Sequence, residues 1–396
     1  MKILLAAASF ASNISGVQRH ALNLVRCLLL RPEISTVHLV VAPWQLNLVQ
    51  SGGLPSDVRL RTHIAAMNRG SFSRNQWYYR DLPKLAAHLR ADVVHLTYPV
   101  PLNSVAFTSP VAVTLHDLYP YEIPRNFGSF KSIFNRMVLQ QCLRQADAIA
   151  CVSEATLSRL RQYLPASVWQ KATRINNCVE TGVLPARESP IPGWNGEPFL
   201  LSIAQHRRNK NLDTLIRAFN CLLRSGQIVT QSKLVVVGIR GPETKRIHKL
   251  VNAFGFDRRI HFLEGISEPE LQWCYQHCEA LVAPSLTEGF GLPVAEGLLA
   301  GCRVVCSDIP AHREIADGRC RFVALYENVP ETLATAIAAA LSEPKGPPVS
   351  LPQFAAPILA NEYLALYREM IAGAASSQTA NVGSAINIAA SERQPL

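Results

Sequence analysis

Short apolar runs alternate with amphipathic helical periods up to about residue 180, and the same alternation restarts near residue 198. No other feature of the chain constrains its fold as much. In the first half MKILLAAA, TVHLVVAP, VRLRTHI, DVVHLTY, VAVTLHD and AIACVSE read as strands, and residues 17–30, 74–90, 129–145 and 154–164 as helices. Consecutive parallel strands need a crossover of helix length, so this grammar predicts a mostly parallel sheet with helices on both faces. The segment ETGVLPARESPIPGWNGEP, rich in Pro and Gly and without periodicity, reads as a linker. Beyond it FLLSIA, KLVVVGI, RIHFLEG, ALVAP and RVVCSD alternate with helices at about 211–225, 243–254, 268–277 and 329–341. The expected architecture is α/β, with two doubly wound domains at residues 1–182 and 198–345 facing each other across a cleft. A second proline cluster precedes ILANEYLALYREMI, a helix over about 357–373 expected to pack back on the first domain. Residues 374–396 are small and polar and are expected to be disordered.

A chain of 396 residues is too long for one core and suits two domains, and its 48% apolar and 17% charged content describes a globular protein. The net charge of +10 is unevenly spread. Residues 1–180 carry 19 Lys and Arg against 9 Asp and Glu, and residues 181–396 carry 20 against 20, so the excess lies wholly in the first half. Such a surface suits an anionic partner. Nucleic acid fits poorly, because Arg59, Arg61, Arg69, Arg74 and Arg80 are scattered without an aromatic-basic module. An anionic membrane surface or a lipid-linked phosphate fits better.

The ten cysteines contain no Cys-x-x-Cys and mostly sit in apolar runs, which reads as buried reduced thiols in a cytosolic protein. MKILLAAASFAS has some features of a secretory leader. It is also a good first strand, and without it the helix VQRHALNLVRCLLL would lack a sheet partner, so the strand is the preferred reading. No apolar run reaches the roughly 18 residues of a membrane span, so the expected location is cytoplasmic, in solution or peripheral at the inner face of the plasma membrane.

The sharpest local feature is EGFGLPVAE, residues 288–296. Glu288 and Glu296 bracket a glycine-rich turn entering a helix, with the first expected on the loop and the second on the first helical turn. Pro293 favours a helix start, which leaves the amides near Phe290, Gly291 and Leu292 free for an anion. The preceding ALVAP and following RVVCSD read as buried strands, so the motif lies at a strand's carboxyl end, where open α/β sheets bind ligands. A nucleotide sugar suits it: diphosphate on the amides and helix dipole, sugar and ribose hydroxyls on the carboxylates.

Arg207, Arg208 and Lys210 follow the first strand of the second domain and could stabilise charge on a departing diphosphate. His116 and Asp117 end a strand of the first domain, where His116 could bond a sugar hydroxyl or relay a proton and Asp117 could orient it. Gly16 lets the first loop approach a ligand closely. Neither G-x-G-x-x-G nor G-x-x-x-x-G-K-[ST] occurs, which disfavours dinucleotide oxidoreductases and P-loop enzymes. No Asp-x-Asp occurs either, so a metal held on a sugar diphosphate is not expected and cations and amides would replace it.

Ser15-Gly16, His116-Asp117, Val152-Ser153-Glu154, Arg207 to Asn211 and above all Glu288 to Glu296 resemble the retaining glycosyltransferases of the GT-B fold, in particular their family 4. The resemblance spans roughly residues 1–372 and implies two Rossmann-like domains, a nucleotide-diphosphate sugar donor, retained anomeric configuration, and neither metal nor cofactor. It implies that Glu288 contacts the donor sugar, Glu296 the ribose, and Gly289, Phe290, Gly291 and Leu292 the sugar and phosphate. Arg207 or Arg208 with Lys210 would neutralise the leaving group, His116 would line the sugar pocket, and Gly16 would approach the donor. Many members have Gly-Gly where this chain has Ser15-Gly16. The implied acceptor is a saccharide or a polyprenyl-diphosphate-linked sugar, chosen by loops around residues 43–75 and 119–128, in cell-surface polysaccharide synthesis. A sugar-nucleotide epimerase and a silent nucleotide-sugar sensor are the rival readings on the same fold.

Overall fold

A computed structural model describes residues 1–10, 15–51, 53–124, 129–179, 184–326 and 329–391. Parts of the first loop (11–14), the expected acceptor loop (125–128), the linker (180–183) and the tail (392–396) lie outside the described residues. The first sheet comprises β1 (Lys2–Ala6), β2 (Thr36–Val41), β3 (Leu60–Ile64), β4 (Val93–Leu96), β5 (Val111–Leu115), β6 (Ala148–Cys151) and β7 (Ala172–Arg174). The second comprises β8 (Phe199–Ile203), β9 (Lys233–Val237), β10 (Ile260–Leu263), β11 (Ala280–Ala283), β12 (Val304–Ser307) and β13 (Arg321–Val323). Every pairing is parallel, in the orders β3-β2-β1-β4-β5-β6-β7 and β10-β9-β8-β11-β12-β13.

Both sheets reverse strand order beside their first strand, between β1 and β4 and between β8 and β11. The carboxyl ends of these strands border a crevice, the usual ligand site of a doubly wound sheet. The central strands are apolar on both faces because helices cover both; Ile3, Leu4, Leu5 and Ala6 of β1 are wholly buried. β7, β13 and the helix Pro310–Ala316 were not expected from sequence. Each is three to seven residues long, too short for a period to register.

The expected helix 74–90 is in fact a helix Ser71–Gln76, a wide π turn Trp77–Asp81 and a helix Leu82–Leu89. Pro83 lacks the N–H that would bond the previous turn, and the wider turn accommodates its ring. The last helix, Ala356–Ser391, carries Leu359, Ala360, Tyr363, Leu364, Tyr367 and Met370 into the first domain's core, against Ile3, Leu5, Leu24, Val25 and Leu28. Where the sequence reading ends this helix near residue 373, the structure continues it through Ser391. That stretch is alanine-rich and holds no proline, so nothing in it forbids the helix.

Candidate active site

The chain leaves β11 at Ala283 and reaches the helix Leu292–Leu299 through the loop that bears Glu288. Gly291 caps the helix at φ 108°, a left-handed conformation, and a Cβ there would lie 3.0 Å from His312. Gly297 lets the helix rest on β11, since a Cβ would stand 2.5 Å from Leu281 Cδ2. Leu292, not Pro293, is the first helical residue, so Glu296 begins the second turn instead of sitting on the first as expected.

Glu288 is buried, and its Oε1 accepts from Lys210 Nζ (2.5 Å) and Ser285 Oγ (2.7 Å) while Oε2 accepts from the Tyr119 hydroxyl (3.1 Å). Burial alone would raise this carboxyl, but Lys210, His312 and the hydrogen bonds outweigh it and hold Glu288 below its ordinary value. Glu296 is equally buried; Arg19 Nη1 donates to its Oε1 (2.5 Å) and the Tyr275 hydroxyl to its Oε2 (2.6 Å). Arg19 also reaches Glu268 Oε2 at 2.6 Å, and Glu296 with its other contacts raises the arginine further despite burial. His312 engages the Ser307 carbonyl through Nδ1 (3.0 Å), and burial lowers its pKa.

Lys210 ends a short 3-10 turn, Arg208–Lys210, just past β8. Arg208 is exposed; Arg207 is half-buried, and its charge bears on Asp117 across the cleft. Burial pushes Asp117 up to about 6 against the Tyr119 N–H bond and Arg207. The expected pairing of Asp117 with His116 is not found: Asp117 accepts from the Tyr119 amide (3.1 Å), and His116 Nε2 bonds the Thr97 carbonyl (2.8 Å). The peptide after His116 turns toward Tyr119, so the two neighbouring side chains take separate partners. Burial lowers His116 to about 4, leaving a neutral imidazole whose Nδ1 is an acceptor.

Behind His116 lies a buried polar chain. The His20 and His116 rings meet edge to face at 4.8 Å, His20 bonds Asn177 (2.8 Å) and Thr114 (3.1 Å), and Thr114 bonds His95 (2.8 Å). His95 in turn bonds Tyr367 on the last helix at 2.6 Å.

Of the expected site residues, the structure brings Lys210, Glu288, Gly289 and His116 together where the domains meet, and Gly16 beside Leu292, while Arg208 is exposed. A Cβ at Gly289 would fall 1.5 Å from the His116 carbonyl oxygen, and a Cβ at Gly16 would lie 4.0 Å from Leu292 Cδ1. Phe290 is buried against Phe354, so its ring is not available to a ligand. From the first domain, Ser153 and Thr156 donate to the Gly289 carbonyl and Arg159 to the Glu288 carbonyl (2.8 Å). Glu314 accepts from the Glu154 and Ala155 amides at 2.8 and 3.1 Å, fastening the helix Pro310–Ala316 to the helix Glu154–Tyr163.

Sequence reasoning missed Arg19, Tyr119, Tyr275, Ser285 and His312. One signal existed for Arg19: a cation in the first turn of a helix opposes the helix dipole and implies a carboxylate elsewhere. None of the ten cysteines is in a disulfide, and among the described residues no three metal-binding side chains form a group. No helix of the described residues is long and apolar enough to cross a membrane.

The family model described as glycosyl transferases group 1 matches residues 187–349, and that described as Glycosyltransferase Family 4 matches residues 14–183. Together they take in both domains. The chain belongs to the family 4 glycosyltransferases of the GT-B fold. This glycosyltransferase is 24% identical over 328 residues, 80% of the chain and 84% of the relative, to O-antigen chain mannosyltransferase B of Escherichia coli. It is 22% identical to the O-antigen chain mannosyltransferase RfbU of Salmonella typhimurium, over 51% of this chain and 53% of that one. Among solved structures it superposes on a sucrose-phosphate synthase from Thermosynechococcus elongatus with TM-score 0.65, at 18% identity over 94% of this chain and 100% of the other. WaaG, a glycosyltransferase involved in lipopolysaccharide biosynthesis, gives TM-score 0.63 at 17% identity, over 94% and 98% of the two chains. These likenesses establish the shared GT-B architecture.

Proposed function

We propose that this glycosyltransferase moves a hexose, with mannose the first choice, from a nucleotide-diphosphate sugar to a saccharide or polyprenyl-diphosphate-linked acceptor in cell-surface polysaccharide synthesis. Mannose is preferred because relatives that match over half or more of the chain are mannosyltransferases by name. The carrying observation is that two buried carboxylates, Glu288 paired with Lys210 and Glu296 paired with Arg19, stand at either end of the glycine-rich turn that leads from β11 into the helix Leu292–Leu299, where the two domains meet. The reaction keeps the anomeric configuration, uses no metal, and takes place at the cytoplasmic face of the membrane.

In this reading Glu288, ionised and held by Lys210, Ser285 and Tyr119, accepts hydrogen bonds from the sugar hydroxyls. Glu296 keeps lone pairs free beyond those used by Arg19 and Tyr275 and accepts from the ribose. Amides from Gly289 to Leu292, with Gly16 across the cleft, cradle the phosphates. Lys210 and Arg207 stabilise the charge that grows on the diphosphate as the sugar–oxygen bond breaks. Neutral His116 accepts a hydrogen bond from a sugar hydroxyl. The acceptor hydroxyl attacks on the face the diphosphate leaves, forms the new glycosidic bond, and passes its proton to the departing phosphate oxygen. Apposed domains exclude water, which would otherwise hydrolyse the donor.

Thermal stabilisation by GDP-, UDP- and dTDP-sugars identifies the donor, since a ligand that binds only the folded state raises the melting temperature. Product NMR with an acceptor and EDTA should then give the donor's anomeric configuration at an undiminished rate. Inverted product, EDTA inhibition, or isomerised donor without acceptor would each contradict the reading.

A further inference from the structure

A half-buried cation without a carboxylate partner stands at the carboxyl edge of the first sheet. Arg74 enters no ion pair among the described residues; its Nε and Nη2 donate to Asn75 Oδ1 at 3.2 and 2.8 Å, and it also bonds the Tyr98 side chain. Its guanidinium carbon lies 4.2 Å from the ring centroid of Phe10 and 5.9 Å from that of Tyr98. Arg69, exposed and likewise without an ion pair among the described residues, sits 5.5 Å over Trp44. These rings are anchored to one stretch of chain after β1: the Tyr78 and Tyr98 hydroxyls donate to the Ala8 carbonyl (2.8 and 2.5 Å), and Trp44 Nε1 donates to that of Ser9 (2.9 Å). They therefore form one platform at the end of β1.

A guanidinium stacked on rings gains some cation–π energy, and the donors of Arg74 are held by no carboxylate, only by the neutral Asn75 and Tyr98, which an anionic phosphate oxygen can displace. Phe10 is 41% exposed. Apolar rings beside an unmatched cation suit an amphiphile better than a free anion. The excess positive charge of residues 1–180 points the same way.

The geometry points to a second anion site on this platform, which takes the diphosphate of a lipid-linked acceptor, with Arg74 as the principal contact and Arg69 as the second. This inference rests on the proposed glycosyl transfer, and it selects the lipid-diphosphate acceptor over a plain saccharide. Inorganic phosphates and anionic lipid headgroups share the charge but lack the prenyl chain beside it.

The test starts from protein saturated with whichever nucleoside diphosphate raises its melting temperature; if none does, the donor reading itself fails, independently of the platform. The saturated protein is titrated with geranyl diphosphate, with inorganic pyrophosphate and with phosphatidylglycerol vesicles. Geranyl diphosphate should bind more tightly than pyrophosphate, and R74Q should weaken it by about tenfold or more, as expected for loss of one charge-assisted bidentate contact. R74K, which keeps charge without the fork, should fall between, and R61Q, an exposed change on edge strand β3, should match the parent protein. Phe10→Ala supplies a second disruption if R74Q folds poorly, and should weaken geranyl diphosphate but not pyrophosphate. Equal affinity of the parent and both platform variants for geranyl diphosphate, pyrophosphate binding as tightly as the prenyl ligand, or binding to vesicles alone would overturn the assignment.

Discussion

Glu288 and Glu296 share a chemistry and differ in who supplies it. Each is a buried carboxylate held by one cation and one tyrosine, but the cation of Glu288 is Lys210 from its own domain and its tyrosine, Tyr119, comes from the opposite one. For Glu296 the assignment is reversed: Tyr275 is local and Arg19 reaches across the cleft. Glu288 therefore keeps its neutralising charge whether or not the domains are apposed, whereas Glu296 loses its cation when they part. A carboxylate that contacts the reacting sugar needs a constant electrostatic setting. One that contacts the ribose can instead report domain apposition to the donor.

The sharpest way to break the contrast is Lys210→Ala, which strands Glu288 as a buried unpaired charge. Turnover should fall by about 10²–10³ through lost stabilisation of the leaving group. Stability should fall by about 3–5 kcal/mol, the usual consequence of removing one partner of a buried pair. Adding Glu288→Gln should restore the melting temperature without restoring turnover. Recovery of both would mean that Lys210 serves only Glu288.

Gly289→Ala acts on both carboxylates at once, because the added carbon meets the His116 carbonyl of the facing domain. Misplacement on the scale of 1 Å costs about a hundredfold in rate, and both domains should still fold. A steady-state assay beside a melting curve separates the two effects.

Arg19→Met should act chiefly on Glu296, raising the donor KM by about tenfold with a smaller change in kcat. A double-mutant cycle with Glu296→Gln should give a coupling of about 1–3 kcal/mol in donor binding. Additive effects would show that the two residues act apart.

The buried histidines give the contrast a pH dependence. Burial lowers His95 to about 3 and His116 to about 4, and lowers His20 well below its ordinary value with help from its two histidine neighbours. Each has a folded pKa below its unfolded value of about 6.5, so the unfolded state binds more protons as pH falls. Their stabilisation is complete above about pH 6.5 and declines toward pH 4, by at most about 1.4 kcal/mol per pH unit for each group. Asp117, raised to about 6, opposes this together with Glu122 and Glu362, which burial also raises. Replacing His95 with Phe should flatten the melting-temperature profile below pH 6.5 compared with the parent; an unchanged slope would remove His95 from this account.

The smallest effect belongs to a hydrogen bond that fastens the two domains beside Glu288. Ser153 caps the helix Glu154–Tyr163 through the Thr156 amide (2.9 Å) and also donates to the Gly289 carbonyl. Ser153→Ala should lower stability by about 1 kcal/mol, read by denaturant unfolding, with little change in donor affinity.

The two domains were legible in the sequence because parallel sheets buried on both faces write continuous apolar runs, and helices 212–224 and 154–163 fall within two residues of their expected limits. EGFGLPVAE was legible because glycine, proline and two acids at fixed spacing are a local signal. Arg19, Tyr119 and Tyr275 were not. Arg19 meets Glu296 across 277 residues and Tyr119 meets Glu288 across 169, and contacts that distant leave no period or spacing in a single chain. Asp117 was misread for the opposite reason: adjacency to His116 suggested a pair, while a turn amide gave it a nearer partner.

Calorimetric titration with the nucleotide sugar that best stabilises the fold tests the central claim most directly, run on the parent protein beside Glu296→Gln and Lys210→Ala. The account predicts one site per chain in the parent, about tenfold weaker binding in Glu296→Gln, and Lys210→Ala hurting turnover more than affinity. Equal donor affinity and equal turnover in all three proteins, or no nucleotide sugar bound by the parent, would contradict it.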